Sequence, residues 1–303
     1  MFQPPVPVIS VGNLTLGGTG KTPCVEYVAA LCRDLGQTVA ILSRGYGVES
    51  GPNDEALLLE DNLPDVPHLQ GADRSALTIT AVEELECETI VLDDGFQHRR
   101  LHRDLDVVLI DATRPLAKEY LFPRGFLREP VSGLARAGYV ILTRCDQAGA
   151  AAVAEQLARL TKRFPYLPIA TTRHQAVELL SADGVTTSVE ELRGKTVAAF
   201  CGIANPAAFR RTLEDLGAKV IELRGYADHH NYTRGDVEDL QAWAAKLPSE
   251  AIIATTQKDW VKLRLGELGG HRLWAVRVGL SFLDGEAEFR AAVEAAVKRD
   301  IAE

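Results

Sequence analysis

The chain has 303 residues, more than one hydrophobic core usually organises, which predicts two lobes. A hydrophobic content of 46% is ordinary for a soluble globular protein, and a formal net charge of −9 without a dominant basic stripe argues against a nucleic-acid binder. Its 5 cysteines are far apart with no C-x-x-C pair, which fits reduced cytosolic thiols, and neither a signal peptide nor an apolar run near the ~18 residues of a membrane span is visible.

The first element is the apolar run Val6-Pro7-Val8-Ile9-Ser10-Val11, which predicts a buried strand. Gly17-Gly18-Thr19-Gly20-Lys21-Thr22 follows, then a helical pattern, and strand, glycine turn and helix together are the layout of a phosphate-binding loop. Glycines let successive N–H groups point inward around phosphate oxygens. Lys21 would reach the β/γ-phosphates and the Thr22 hydroxyl would ligate magnesium at the helix start. Thr15 stands where the full pattern asks for its first glycine, so a tight strand-to-helix turn with a surface lysine is the alternative. Pro23 suits a first helical turn, Val25, Val28, Cys32 and Leu35 repeat at helical spacing, and Gly36 predicts the stop.

Next comes a strand over Val39–Leu42, ending in Ser43-Arg44-Gly45-Tyr46-Gly47. Residues 51–71 read mostly as loop with one short helix near Glu55–Glu60, and a longer helix is expected from about Ala72 to Leu85. Strands at Thr89–Leu92, Val107–Ile110 and Tyr139–Leu142 end at Asp93-Asp94, Asp111 and Thr143-Arg144. Continuous apolar strands separated by helices predict a parallel sheet covered on both faces, with ligands bound beyond the carboxyl ends of the strands. Asp93-Asp94 closes its strand as a Walker B acid does, although a helix-capping aspartate is the plainer option. His98 and His102 lack a third ligand at zinc spacing. The loop Pro123–Pro130 offers Glu129 as a metal ligand and Arg124 and Arg128 for phosphate, or is a solvated connection. Thr143-Arg144-Cys145-Asp146 is too weak a motif to specify a nucleobase.

A lobe boundary is expected in the polar, turn-rich residues 171–194, giving a nucleotide lobe over 1–170 and a smaller α/β lobe over 195–303 closing over the active site. That second lobe starts with a strand at Thr196–Phe200 and a helix capped by Asn205-Pro206 that stops at Gly217. Strands at Val220–Leu223, Ala251–Ala254 and Trp274–Val278 and a closing helix from Glu286 to Lys298 complete it. Asp228-His229-His230-Asn231-Tyr232-Thr233 precedes a further helix that Thr233 would cap, and Thr255-Thr256-Gln257-Lys258-Asp259 follows a strand. Taken alone, both read as surface polarity.

Together these segments resemble one family: PVPVISVGNLTLGGTGKTP, LSRGYG, the acidic NDEA segment, LDDGFQHRRLHRDLDVVLID, PRGFLREPVSGLARA, FCGIANPAAF, DHHNYT and TTQKDWVKL occur in the order of the tetraacyldisaccharide 4′-kinases of the lipid A pathway. The Thr15 substitution also matches that family's loop. The resemblance implies a P-loop α/β fold and transfer of the ATP γ-phosphate to the 4′-hydroxyl of an acylated glucosamine disaccharide 1-phosphate, giving lipid IVA. Magnesium and a peripheral position at the cytoplasmic face of the inner membrane are also implied, with no obligate protein partner. By resemblance, Gly17, Gly18, Thr19, Gly20, Lys21 and Thr22 hold the nucleotide, and Thr22, Asp93, Asp94 and Glu129 form the metal group. Asp54 matches the proposed base and His229 its partner from the other lobe, while Arg74, Gln97 and Arg128 are expected on the substrate side. Asn53 and Gln257 stand where the family generally has glycine and glutamate. The family's apolar N-terminal helix is expected to be missing, because the first strand begins by about Val6; attachment would then rest on loops. Tyr120, Leu121, Phe122, Phe126 and Leu127 supply lipid-facing surface or core. A nucleotide-gated switch or metallochaperone would use the same loop without a hydroxyl acceptor. An ATP-driven ligase acting on a small acid would need no lipid-facing surface.

Overall fold

The computed structural model describes residues 1–45, 54–114, 116 and 120–298; Tyr46, Gly47 and Asn53, singled out above, lie outside them. In chain order the elements are β1 (Val8–Asn13), α1 (Lys21–Asp34), β2 (Val39–Ser43), α2 (Asp54–Asn62), β3 (His68–Gln70), α3 (Arg74–Glu83), β4 (Thr89–Asp93) and β5 (Leu105–Asp111). These are followed by β6 (Tyr139–Thr143), α4 (Cys145–Ala148), α5 (Ala150–Arg163), β7 (Ile169–Leu180), β8 (Thr186–Thr187), β9 (Thr196–Cys201) and α6 (Pro206–Asp215). The chain continues through β10 (Lys219–Gly225), α7 (Arg234–Ala244), β11 (Ile252–Thr256), α8 (Gln257–Leu263), β12 (Glu267–Leu268), β13 (His271–Asp284) and α9 (Glu286–Val297).

Two compact units divide the chain: residues 1–174 with 280–303, and residues 175–279. In the first, strands run in the order β7-β6-β5-β1-β4-β2-β3 and every pairing is parallel. Alternation of side chains along each strand gives the sheet two apolar faces. Ile9, Val11, Val91, Val107 and Ile141 pack with Val25 and Val28 of α1 and Phe289 and Val293 of α9. On the other face Val8, Leu42 and Leu92 meet Leu77 and Ala81 of α3, while Val108 and Leu142 meet Leu157 and Leu160 of α5. Both faces are covered, which is why the strands carry unbroken apolar runs.

The second unit has its own parallel order, β10-β9-β11-β13, and its own core around Val197, Ala199, Leu213, Ala254 and Val276.

The sheet and helices agree with the expected α/β class, and several boundaries differ from the sequence reading. Residues 171–194 include most of the 12-residue β7, the short β8 and a 3-10 turn at Val189–Leu192, not a linker. β7 leaves the first unit and β13 returns to it, so α9 packs on the nucleotide unit and not with residues 195–279. Strand β3 lies in the stretch read as loop; its three residues are too few for period-2 alternation to show. Leu127 is buried, whereas Tyr120, Leu121, Phe122 and Phe126 are exposed.

Candidate active site

The turn after β1 is held from three sides. Asn13, buried at the strand end, donates from Nδ2 to the Thr19 hydroxyl at 2.8 Å. Thr143, closing β6, donates its hydroxyl proton to the Thr19 carbonyl at 2.9 Å. Gly20 has φ +84°, and a Cβ there would lie 2.2 Å from Nε2 of His174, so no other residue fits. Burial, with Arg144 adding to it, pushes the His174 imidazole down to about 4, which leaves the ring neutral. Lys21 opens α1 directly after this turn and Thr22 follows, partly exposed. Gly36, φ +85°, ends α1 as expected, its N–H bonded to the Arg33 carbonyl at 2.8 Å.

Strand β4 lies beside β1 in parallel register, and its end brings two carboxylates to the loop. Asp94, with φ +54°, has its Oδ1 3.5 Å from Nζ of Lys21, and both its oxygens accept from Nη1 of Arg128 at 2.7 Å. Burial pushes the Asp94 carboxyl up, but Lys21 and Arg128 outweigh it and hold it below its ordinary value. Asp93 is the opposite case. Its Oδ1 is buried without a hydrogen-bond partner, and burial, reinforced by Glu55 and Asp94 against Lys21 and Arg74, raises its pKa to about 7.

Around this pair, Gln97 donates from Nε2 to the Asn13 carbonyl and to Oε1 of Glu129, both at 2.9 Å. Glu129 also accepts from Nη2 of Arg136 at 2.9 and 3.0 Å, and that guanidinium lies 4.5 Å over the Phe96 ring. Arg74 is buried at the start of α3 with Nη2 3.4 Å from the Asp93 carbonyl. Lys21, Arg74, Asp93, Asp94, Gln97, Arg128 and Glu129, spread over 109 positions of sequence, thus form one linked group. Asp54 opens α2 of the same unit. His229 belongs to the second unit, where it is exposed with φ +57°.

Asn13, Thr143, Arg136 and His174 were not singled out from sequence as binding residues. Asn13 carried a readable signal, a polar residue closing an apolar strand just before the glycines. Thr143 likewise closes an apolar strand at the end where ligands bind, while Arg136 and His174 are brought to the site only by the fold.

Among the described residues no group of three or more His, Cys, Asp or Glu side chains could by itself hold a metal ion. Magnesium in nucleotide sites is held by one or two carboxylates plus phosphate and water, so such a cage is not required. Asp93 fits that demand: its buried oxygen lacks a partner and its charge is poorly compensated. Both Asp94 and Glu129 already accept from arginines.

A buried strand, a glycine turn with left-handed Gly17 and Gly20, a lysine opening the next helix and acids on the adjacent strand define a P-loop nucleotide-binding protein. Residues 1–298 match the family described as tetraacyldisaccharide-1-P 4'-kinase, and the chain belongs to that family. It is similar to the tetraacyldisaccharide 4'-kinase of Anaeromyxobacter sp. (strain Fw109-5), 41% identical across 97% of this chain and 83% of the relative. It is also similar to that of Syntrophus aciditrophicus (strain SB), 40% identical over 86% and 76%. A crystal structure of LpxK from Aquifex aeolicus in complex with ATP superimposes with a TM-score of 0.78 at 31% identity, covering 98% of this chain and 90% of that one.

Proposed function

We propose that this kinase transfers the γ-phosphate of ATP to the 4′-hydroxyl of a tetraacylated glucosamine disaccharide 1-phosphate, with magnesium as cofactor. The observation that carries the reading is the pairing of Lys21 with Asp94 beside a poorly compensated Asp93, at the mouth of a phosphate loop in a chain of this family. Magnesium would be held by Asp93 with Thr22, and when bound it supplies charge neutralisation between phosphate oxygens. Lys21 faces the β/γ-phosphates and releases Asp94 in exchange. Arg128 and Arg136 keep Asp94 and Glu129 fixed, so the polar groups need no reorganisation as charge shifts. Asp54 accepts the acceptor proton late in a loose transition state, and His229 assists it.

The same reading includes peripheral contact with the cytoplasmic face of the inner membrane. No helix among the described residues is long and apolar enough to cross a membrane. The support is a short hairpin whose Leu127 N–H bonds to the Tyr120 carbonyl, and whose Phe126 carbonyl accepts from Leu16 beside the phosphate loop. Phe122 at 67% and Phe126 at 52% exposure project from it, with Arg124 4.1 Å over Tyr120 and Arg114 5.4 Å over Phe126. Aromatic and cationic side chains together suit the headgroup boundary. Radiolabel transfer from ATP to the disaccharide 1-phosphate, with magnesium present and then omitted, tests the activity. Hydrolysis of ATP without labelled lipid would favour a nucleotide switch.

A further inference from the structure

The loop that carries His229 is built by the start of α8. Thr256 caps that helix, accepting from the Asp259 N–H at 3.1 Å. Asp259 is fully buried and accepts from the Gly202 N–H at 2.9 Å, the Tyr232 hydroxyl at 3.1 Å and the Thr256 hydroxyl at 2.6 Å. The segments that carry Gly202 and Tyr232 are thereby tied to one carboxylate at the start of α8. Lys262, 3.6 Å from Asp259, extends the tie by donating to the His230 carbonyl at 2.8 Å. The His230 ring stacks on Tyr226 at 4.8 Å, and its Nε2 lies 3.2 Å from Oδ2 of Asp236.

His229 sits inside this frame. Its N–H donates to the Gly202 carbonyl at 3.1 Å. A Cβ on Gly202 would lie 2.9 Å from Oδ1 of Asp259 and 3.1 Å from the Ala227 carbonyl oxygen, so the loop closes only on glycine. One residue before Asp259, Lys258 places its Nζ 3.0 Å from Nε2 of His229 and 3.8 Å from Oδ1 of Asp228. An ammonium has protons to give and no lone pair to receive one. Nε2 is therefore the acceptor in this contact, and the proton of the neutral imidazole is on Nδ1.

We propose that Lys258 is a positioning residue that fixes His229 as its Nδ1–H tautomer, so that the nitrogen offered as a donor in phosphoryl transfer is Nδ1. The second histidine of the pair is committed to the loop's own packing, which explains how adjacent identical residues take different parts. The inference rests on the reading that His229 takes part in transfer, and it adds which nitrogen acts and what selects it.

The test is carried out on the full chain with 15N-labelled histidine, comparing wild type, Lys258→Met and Lys258→Arg. Two-bond 15N–1H spectra assign the His229 tautomer, with His229→Ala identifying its signals, and kinetics give kcat and the KM for ATP. The expected wild-type pattern is Nδ1–H. Lys258→Met should move His229 toward Nε2–H and lower kcat by about tenfold or more, as loss of a hydrogen bond to a charged group does. The KM for ATP should stay unchanged, and Lys258→Arg should recover tautomer and part of kcat. Wild-type His229 in the Nε2–H form, or a spectrum indifferent to Lys258→Met, would overturn the assignment. Full turnover in His229→Ala would instead remove the reading beneath it, and the spectra would still decide what Lys258 does to the ring.

Discussion

Asp93→Asn should make the protein more stable at alkaline pH while removing its activity. The Asp93 carboxyl has a pKa of about 7 in the folded chain against an ordinary 3.8. Between those values the native state holds a proton that the unfolded state has released, so stability falls as pH rises through this window and levels off above it. A separation of about three pH units corresponds to about 4 kcal/mol at 1.36 kcal/mol per unit. Asparagine carries no charge to desolvate, but its amide would keep an unpartnered buried atom at a cost of about 1–3 kcal/mol. At pH 8 the variant should therefore gain roughly 1–3 kcal/mol, and near pH 4.5, where wild-type Asp93 is mostly protonated, the gain should vanish or reverse. Urea unfolding of both proteins from pH 4.5 to 8.5 without magnesium measures the difference directly. Parallel curves across that range would refute the uncompensated buried charge, and with it the argument that Asp93 is kept for a cation.

Lys21→Ala should cut turnover by about two orders of magnitude or more in the radiolabel assay, since charge neutralisation dominates this chemistry; near-normal turnover would sink the kinase site as drawn. Phe122→Ser with Phe126→Ser should reduce flotation with anionic liposomes and leave ATP binding intact, whereas unchanged flotation would place the attachment surface elsewhere. Asp54→Ala and His229→Ala should each depress kcat with ATP affinity preserved, and the double variant should lose little more than either single; additive losses would separate the two roles.

The nucleotide half was legible because its signals are local. Apolar runs of four to six residues gave the parallel strands, Gly36 marked a helix end, and Lys21 followed a loop whose flanks read correctly. What escaped depends on long-range contact. Glu129 reads as a metal ligand until Arg136, seven residues on, is seen donating to both its oxygens, and Arg74, expected on the substrate side, is buried at the start of α3 with Nη2 3.4 Å from the Asp93 carbonyl. Residues 171–194 look like a linker because β7 is apolar on alternate positions only over part of its length and opens with the polar run Thr171-Thr172-Arg173-His174. Thr255–Asp259 read as surface polarity, yet Asp259 is wholly buried, its burial made tolerable by the neighbouring Thr256 hydroxyl and by donors at Gly202 and Tyr232, two segments remote in sequence.

The return of β13 to the first unit sets an order of events during synthesis. Residues 175–279 emerge from the ribosome as one uninterrupted stretch containing the whole second unit. The nucleotide unit, although it begins first, is still open at that moment, since Phe289 and Val293 have not yet emerged. Phe289 packs 5.0 Å from the Tyr139 ring, and until it arrives that flank of the core faces water. A nascent chain that has emerged only as far as Gly279 would therefore present a finished second unit attached to an unsealed nucleotide unit, and the part of the protein that starts folding earliest is the last to become protease-resistant.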